Sequence, residues 1–313
     1  MDISIIIVSW NAKEFLSECL QSLTAETDSH CSEIIVVDNA STDGSLELVQ
    51  KHFSHVKLIR SNTNAGFAKA NNIGIRQSIG RYVAFINSDV KVLEGCLNRI
   101  LAYMDKHPDI GMLGPKILNP DSTVQRSFMR FPTLWNNLCR ALALDTLFPK
   151  SKLFGDLFTT FGAYDTIHTV EVIFGCFWMV RREALNQIGL LDENFFIYGE
   201  DIDWCKRFWD SGWKVVFFPY AEAVHYGGAS SSNASIRFHL ERQQAILQYW
   251  EKYYSRPSRI CLILITWLYQ IVRILGHTVL YIMKPSKRTQ ASFTIKKSTA
   301  CIRWLLKLRN KNV

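Results

Sequence analysis

No acidic residue follows Glu251 in this chain of 313 residues, although residues 252–313 carry 13 of its 36 lysines and arginines. The net charge of +8 is therefore a property of the tail, and the residues up to Glu251 hold more acids than bases. Neither a Cys-x-x-Cys pair nor a zinc-like histidine spacing accompanies the eight cysteines, at 19, 31, 96, 139, 176, 205, 261 and 301. They read as buried thiols in a reducing compartment. No strand-like run is followed by G-x-G-x-x-G or G-x-x-x-x-G-K-[ST], which removes the main support for a dinucleotide-dependent oxidoreductase or a P-loop enzyme. A Gly-rich basic loop, which a sugar nucleotidyltransferase would want after its first strand, is also missing. The opening "MDISIIIVSW" has an acid at position 2 and no basic n-region, so the protein is expected to start and stay in the cytosol. Repeats and low-complexity segments are absent.

What remains is a globular composition, 48% hydrophobic and 20% charged, enough to bury a substantial core. The runs "ISIIIV" (3–8) and "EIIVVD" (33–38), β-branched with helical periodicity between them, form the βαβ pattern of a buried parallel sheet. Asp43 is expected to cap a helix over Leu46 to Phe53, with "VKLI" (56–59) as a third strand. Ala65 to Ser78 reads as a helix closed by Gly80, and "YVAFIN" (82–87) as a fourth strand. A helix from about Leu93 to Lys106 stops before Pro108, and residues 119–168 carry no clear pattern. Regularity returns at "VEVIFGCFWMVRREAL", a strand leading into a helix. In "EDIDWCKRFWDSGWKVVFFP" a helix ends at Gly212 and a strand follows. In such an α/β sheet a ligand site lies beyond the carboxyl ends of the strands.

Just past those ends stand Ser9, Trp10 and Asn11, then Asp38 and Asn39, then Asn87, Ser88 and Asp89. Asn64, Gly66, Phe67, Asn71 and Asn72 form a further polar cluster at a helix start, for which a cap with solvated amides is the plainer account. In "FFIYGEDIDWCKRF", Glu200, Asp201 and Asp203 crowd one helix start directly after an aromatic run. The helix dipole alone favours acids there. An apolar setting and like charges, however, raise a carboxyl's pKa, and those conditions tune a general base. His225, in "VHYGG", precedes a Gly-Gly turn and a serine run.

The stretches "SIIIVSWNAKEFLSECLQSL", "IIVVDNASTDGS", "NTNAGFAKANNIGI", "FINSDV", "GCFWMVRREALNQIGLLDENFFIYGEDIDWCKRFWDSGWKVVFFP" and "VHYGG" follow one another over roughly residues 3–230. In that order they resemble the family 2 glycosyltransferases of the GT-A fold, above all the rhamnosyltransferase-like branch that builds bacterial surface polysaccharides. The resemblance implies a GT-A (nucleotide-diphospho-sugar transferase) fold, α/β with a mostly parallel central sheet, in residues 1–255. C-terminal membrane-associated helices in 256–313 complete the expected organisation. It implies that Ser9, Trp10 and Asn11 with Asp38 and Asn39 contact the pyrimidine nucleoside, and that Asn64, Gly66, Phe67 and Asn71 line the nucleotide and sugar pocket. "NSD" takes the place of the family's Asp-x-Asp metal motif, with Asn87 for its first Asp. Asn87 and Ser88 then serve the donor, while Asp89 and His225 hold Mg²⁺ or Mn²⁺. Asp201 is implied as the catalytic base, with Glu200, Asp203 and Trp204 supporting the sugar or acceptor side.

One base opposite the leaving group predicts a single displacement and an inverted anomeric configuration. The implied reaction moves a sugar, rhamnose from dTDP-rhamnose in the first instance, to a lipid-linked or growing surface glycan. A UDP-hexose or UDP-N-acetylhexosamine donor is the alternative. From another class comes a non-catalytic sugar-nucleotide-binding scaffold, against which Asp201, Asp89 and His225 together argue.

The tail stretch "ICLILITWLYQIVRILGHTVLYIM" (260–283) is 24 residues long, and a spanning helix needs about 20. Arg273 near its middle costs roughly 2.5 to 3.5 kcal/mol on insertion scales, and basic flanks on both sides give no orientation. A helix lying in or shallowly inserted into the cytoplasmic face of the inner membrane is therefore expected, with a true span and a soluble packing or dimer helix as the alternatives. "IRWLLKLRNK" (302–311) adds a basic amphipathic segment whose Trp, Leu and Ile favour the membrane over nucleic acid. A polyprenyl-linked or glycan acceptor is implied by the resemblance alone, and a homodimer stays open.

Overall fold

The computed structural model describes residues 1–27, 32–151, 153–154, 164–227 and 235–309. Gly228, the end of "VHYGG", the serines at 230–232 and residues 310–313 lie outside them. In chain order the elements begin with β1 (Ile3–Ser9), α1 (Lys13–Thr27), β2 (Ser32–Asp38), α2 (Ser45–His52), β3 (Lys57–Arg60), α3 (Phe67–Arg76) and β4 (Tyr82–Asn87). Next come β5 (Val90–Val92), α4 (Cys96–Lys106), β6 (Ile110–Leu118), β7 (Val124–Gln125), β8 (Phe128–Met129), α5 (Leu134–Ala141) and α6 (Leu144–Leu147). The remainder is β9 (His168–Thr169), β10 (Val172–Ile173), β11 (Phe177–Arg181), α7 (Arg182–Ile188), α8 (Glu200–Asp210), β12 (Lys214–His225), α9 (Ser235–Tyr253), α10 (Arg256–Met283) and α11 (Arg288–Arg309). Two compact units result: Met1–Met129 with Gly162–Asn233, and Arg130–Phe161 with Ala234–Val313. The boundary expected at 255 thus falls inside the second unit, which also takes in α9 and the patternless stretch around α5.

The first unit is built on a mixed sheet of order β3-β2-β1-β4-β11-β6-β12-β5. β1 pairs in parallel with β2 and β4, Ser9 facing Asp38 and Val8 facing Asn87. The carboxyl ends of all three strands therefore share one edge. Helices cover both faces of these strands, so Ile3, Ile5, Ile6 and Ile7 are all fully buried, which is why the strand reads as an uninterrupted β-branched run. Beyond β4 the parallel order is broken, because β11 runs antiparallel to both β4 and β6. β12 then pairs in parallel with β6 and antiparallel with β5, setting His225 opposite Val90.

Two local expectations shift. α2 starts at Ser45 with left-handed Gly44 before it, and the Asp43 carboxylate accepts from Ser45 N (3.0 Å) and Lys13 N (2.8 Å), tying two loops together instead of capping Leu46. α3 starts at Phe67, because Gly66 at φ 84° and ψ 175° is in a conformation outside the helix.

In the second unit, Thr133 and Asn136 close a reciprocal capping box on α5. α10 is long and apolar enough to cross a membrane, with a mean hydropathy of 1.7 over its best window, of which only 11% is buried.

Candidate active site

Unpartnered buried polar atoms mark the edge where β1 and β2 end. Ser9 Oγ and Asp38 Oδ1 are buried without a hydrogen-bond partner, on residues that face each other across the strand pair. Such atoms are costly unless something satisfies them, so they point to a ligand with donors and acceptors of its own. Asn11 sits beside them at φ 50°, a left-handed position that asparagine tolerates. Its Oδ1 accepts from Thr42 N (2.7 Å) and its N–H donates to Ser41 Oγ (3.0 Å), so it braces the two strand-end loops. Trp10 next to it is half-buried.

Asn39 and Asn71 are occupied within the protein. Asn39 donates to Asn64 Oδ1 (2.9 Å) and Gly66 O (3.3 Å) and accepts from Ala65 N (2.8 Å). Asn71 donates to Phe67 O at 3.0 Å. Both are nearly inaccessible, as Ser9 and Asp38 are, and their hydrogen bonds shape the 64–67 loop. That loop is locked onto the segment before α8: Phe67 N donates to Phe196 O at 2.7 Å. At Gly66 the approach is so close that a Cβ would lie 2.4 Å from the same carbonyl oxygen. Asn72, which the sequence placed only among solvated amides, is buried and clamps Leu191 O (2.9 Å) and Glu193 Oε1 (3.0 Å). An amide on the buried stripe of an amphipathic helix was the available signal.

Four of the first five residues of α8 divide by role. Glu200 is buried with Oε2 unpartnered, and burial together with the charge on Asp201 pushes its carboxyl up to about 8. Asp201 is half-buried, with Oδ1 accepting from Ile202 N at 2.9 Å. Asp203 and Trp204 are fully buried, so the support they can lend the sugar or acceptor side passes through the position of α8. Asp203 pairs with Arg207 Nε at 3.0 Å, and the same guanidinium donates to Ile188 O and Leu190 O. Trp204 donates to Gly189 O at 3.1 Å and packs edge-on against Phe85, 5.3 Å between ring centres. The two residues hold α8 in place.

At the end of β4, Asn87 N donates to Cys176 O (3.0 Å), and Ser88 and Asp89 are buried. Asp89 Oδ1 lies 3.3 Å from His225 Nε2. Gln125, in the stretch without sequence pattern, donates through Nε2 to His225 O (3.2 Å) and Asn119 Oδ1 (2.8 Å), which turns its Oε1 to His225 Nδ1 at 2.6 Å. That network assigns the ring proton to Nδ1 and aims the lone pair of Nε2 at a carboxylate oxygen. Two acceptors so placed need a proton or a cation between them. One carboxylate and one imidazole with a fixed tautomer fit a divalent ion such as Mn²⁺. No group of three such side chains exists among the described residues, so water or phosphate oxygens would fill the other positions.

The strand-end edge, its orphaned polar atoms and the acidic helix start lie together in the first unit as one candidate site. The family model "Glycosyl transferase family 2" matches residues 4–189, and the chain belongs to that family, a glycosyltransferase with the GT-A fold. It is 28% identical over 242 residues to the N-acetylglucosaminyl-diphospho-decaprenol L-rhamnosyltransferase of Mycobacterium tuberculosis, covering 72% of this chain and 76% of that protein. A mannosyltransferase from Pyrobaculum calidifontis, solved with GDP-Man and Mn²⁺, superposes with a TM-score of 0.57 at 17% identity over 97% of this chain and 86% of that one. A second solved structure, GalNAc-T7 with UDP, GalNAc and Mn²⁺, has a TM-score of 0.56 at 18% identity, covering 81% of this chain and 49% of that one.

Proposed function

We propose that the protein transfers a deoxyhexose, rhamnose in the first instance, from a dTDP- or UDP-sugar to a hydroxyl of a lipid-linked glycan at the cytoplasmic face of the membrane, inverting the anomeric centre. The observation that carries this reading is the lock between Gly66 and Phe196. It fastens the loop behind Asp38 to the segment that delivers Asp201. Ser9 Oγ and Asp38 Oδ1, buried and unpartnered, hold the nucleoside by hydrogen bonds. Asp201 accepts the proton of the attacking hydroxyl, a contribution of about 10²- to 10⁴-fold. Glu200, whose pKa burial and the charge on Asp201 push up, is biased towards its neutral form, which keeps a second negative charge away from that base. Asp89 and His225 would hold a divalent cation, which offsets the charge growing on the departing diphosphate. The rhamnosyltransferase relative favours rhamnose and a polyprenyl-diphosphate acceptor, and the exposed apolar α10 favours work at a membrane.

Asp201→Asn tests the base: donor binding by calorimetry stays within a few-fold while transfer falls by about 10²-fold or more. Near-normal transfer removes Asp201 from the role. Incubation with a panel of dTDP- and UDP-sugars, read by binding and slow hydrolysis, tests the donor. Preference for a UDP-hexose or UDP-N-acetylhexosamine replaces rhamnose.

A further inference from the structure

The stretch without sequence pattern ends in a turn whose large apolar side chains face outward. On α5, α6 and the residues that follow, Trp135, Leu147, Phe148 and Leu153 are all exposed. They adjoin one another, since the Phe154 ring lies 6.3 Å from that of Trp135 and 5.6 Å from that of Phe148, centre to centre. The Trp135 indole N–H donates to Leu153 O at 2.9 Å, which leaves the apolar ring as the part turned to solvent. Single exposed apolar side chains are ordinary, but a contiguous group marks a surface that something covers.

The backbone beneath that surface is already satisfied. Leu147 N and Phe148 N donate to Ala143 O and Leu144 O (2.9 and 2.8 Å), and Ser151 N donates to Phe148 O (2.9 Å). Leu153 N and Phe154 N donate to Ser151 Oγ at 3.2 and 3.3 Å, and Pro149 has no N–H to place. These amides need no water, which is the condition for entering the boundary between headgroups and acyl chains without loss. The rings are flanked by leucines instead of the hydrogen-bonding side chains that a glycan would want. Charge points to the same occupant: by sequence the residues of the second unit carry 19 lysines and arginines against 4 acids, which complements an anionic leaflet. The same unit holds α10, which packs on α5 and carries Leu264, Ile271, Leu275 and Val279 as an exposed stripe away from the buried Gln270.

We propose that the α5–α6 turn is a second membrane-contact element, with Trp135, Leu147, Phe148 and Leu153 inserted at the headgroup and acyl boundary of an anionic bilayer and Lys150 at its phosphates. Such a contact presupposes that α10 works at a membrane, and it adds a segment that lies outside the basic tail. A single helix lying in the plane of a bilayer can roll about its axis. Two contacts on one unit fix the orientation in which that unit meets the surface.

Flotation of the full chain with vesicles of phosphatidylcholine and phosphatidylglycerol tests it. Leu147→Ser with Phe148→Ser should weaken partitioning about tenfold or more. Because the two residues are 67% and 51% exposed, the melting temperature should stay at the wild-type value. A lowered melting temperature marks the group as internal packing and overturns the proposal. Phospholipids brominated near the headgroup end of the acyl chain should quench a part of the wild-type tryptophan fluorescence that Trp135→Phe lacks. Equal quenching of the two proteins overturns insertion at this turn. Leu264→Gln with Leu275→Gln probes α10 separately. If that variant loses binding while the Leu147 and Phe148 variant floats as wild type does, the contact at the turn falls and the membrane reading of α10 stands. A wild-type chain that fails to float removes both. A wild-type dimer that sediments without vesicles and is dissociated by the two serines also overturns the proposal, since the surface then seats a second copy of the chain.

Discussion

Glu200→Gln separates the two carboxyls at the start of α8. Glu200 is fully desolvated beside Asp201, and its carboxyl is pushed from the ordinary 4.5 up to about 8. A raised pKa means that below pH 4.5 the group is protonated in both folded and unfolded chains. As pH rises from 4.5 towards 8, the unfolded chain releases the proton and the folded one keeps it, so stability is lost across that window. At about 1.4 kcal/mol per pH unit, the loss between pH 4.5 and 7 is on the order of 3 kcal/mol. Glutamine keeps the shape of the neutral acid and has no proton to exchange. The gap between wild type and variant should therefore change by that amount in the variant's favour between pH 4.5 and 7, roughly 5–10 °C in melting temperature. Thermal unfolding of both proteins at half-unit pH steps measures it, with the titrations other than those of Glu200 and Asp201 common to the pair. Parallel profiles would refute a protonated, buried Glu200, and with it the view that Asp201 stands next to a neutral neighbour.

Gly66→Ala places a Cβ 2.4 Å from Phe196 O at φ 84°, which should cost at least about 2 kcal/mol and depress transfer by moving α8; an unchanged melting temperature contradicts the lock. Asp203→Asn breaks a pair with one fully buried partner and should lower stability by about 3 kcal/mol while leaving the donor KM near wild type; a KM effect without a stability effect returns Asp203 to the pocket. Chelator should remove activity and Mn²⁺ or Mg²⁺ restore it, full activity in EDTA counting against the Asp89–His225 site. By electron paramagnetic resonance, Gln125→Leu should weaken Mn²⁺ binding about 10- to 100-fold through loss of the His225 tautomer; unaltered affinity refutes that positioning.

Much of the sheet was legible because its first half is local. β1, β2 and β4 are each a few β-branched residues between amphipathic helices, and the parallel rule then puts Ser9, Asp38 and Asn87 on one edge. What the residue types did not disclose is which polar side chains are spent internally. Asn39 and Asn71 carry the same amide as a ligand-binding asparagine, yet backbone carbonyls and amides take them up. Asp203 and Trp204 belong to the acidic, aromatic motif in sequence, but the turn of α8 points them inward. Gln125 stood in a stretch with no periodicity, where a two-residue strand leaves no pattern.

The sequence by itself determined the βαβ order, the polar strand ends, the acids opening α8 and the charge asymmetry of the tail, since each depends on residues within a turn or two of one another. The tertiary structure alone decided the antiparallel insertion of β11, the pairing of β12 with β5 that sets His225 beside Asp89, and the face of α10 that is buried. Those outcomes rest on pairing and packing between segments far apart in the chain. A hydropathy profile shows that α10 is apolar, but only its neighbours make the polar side the inner one.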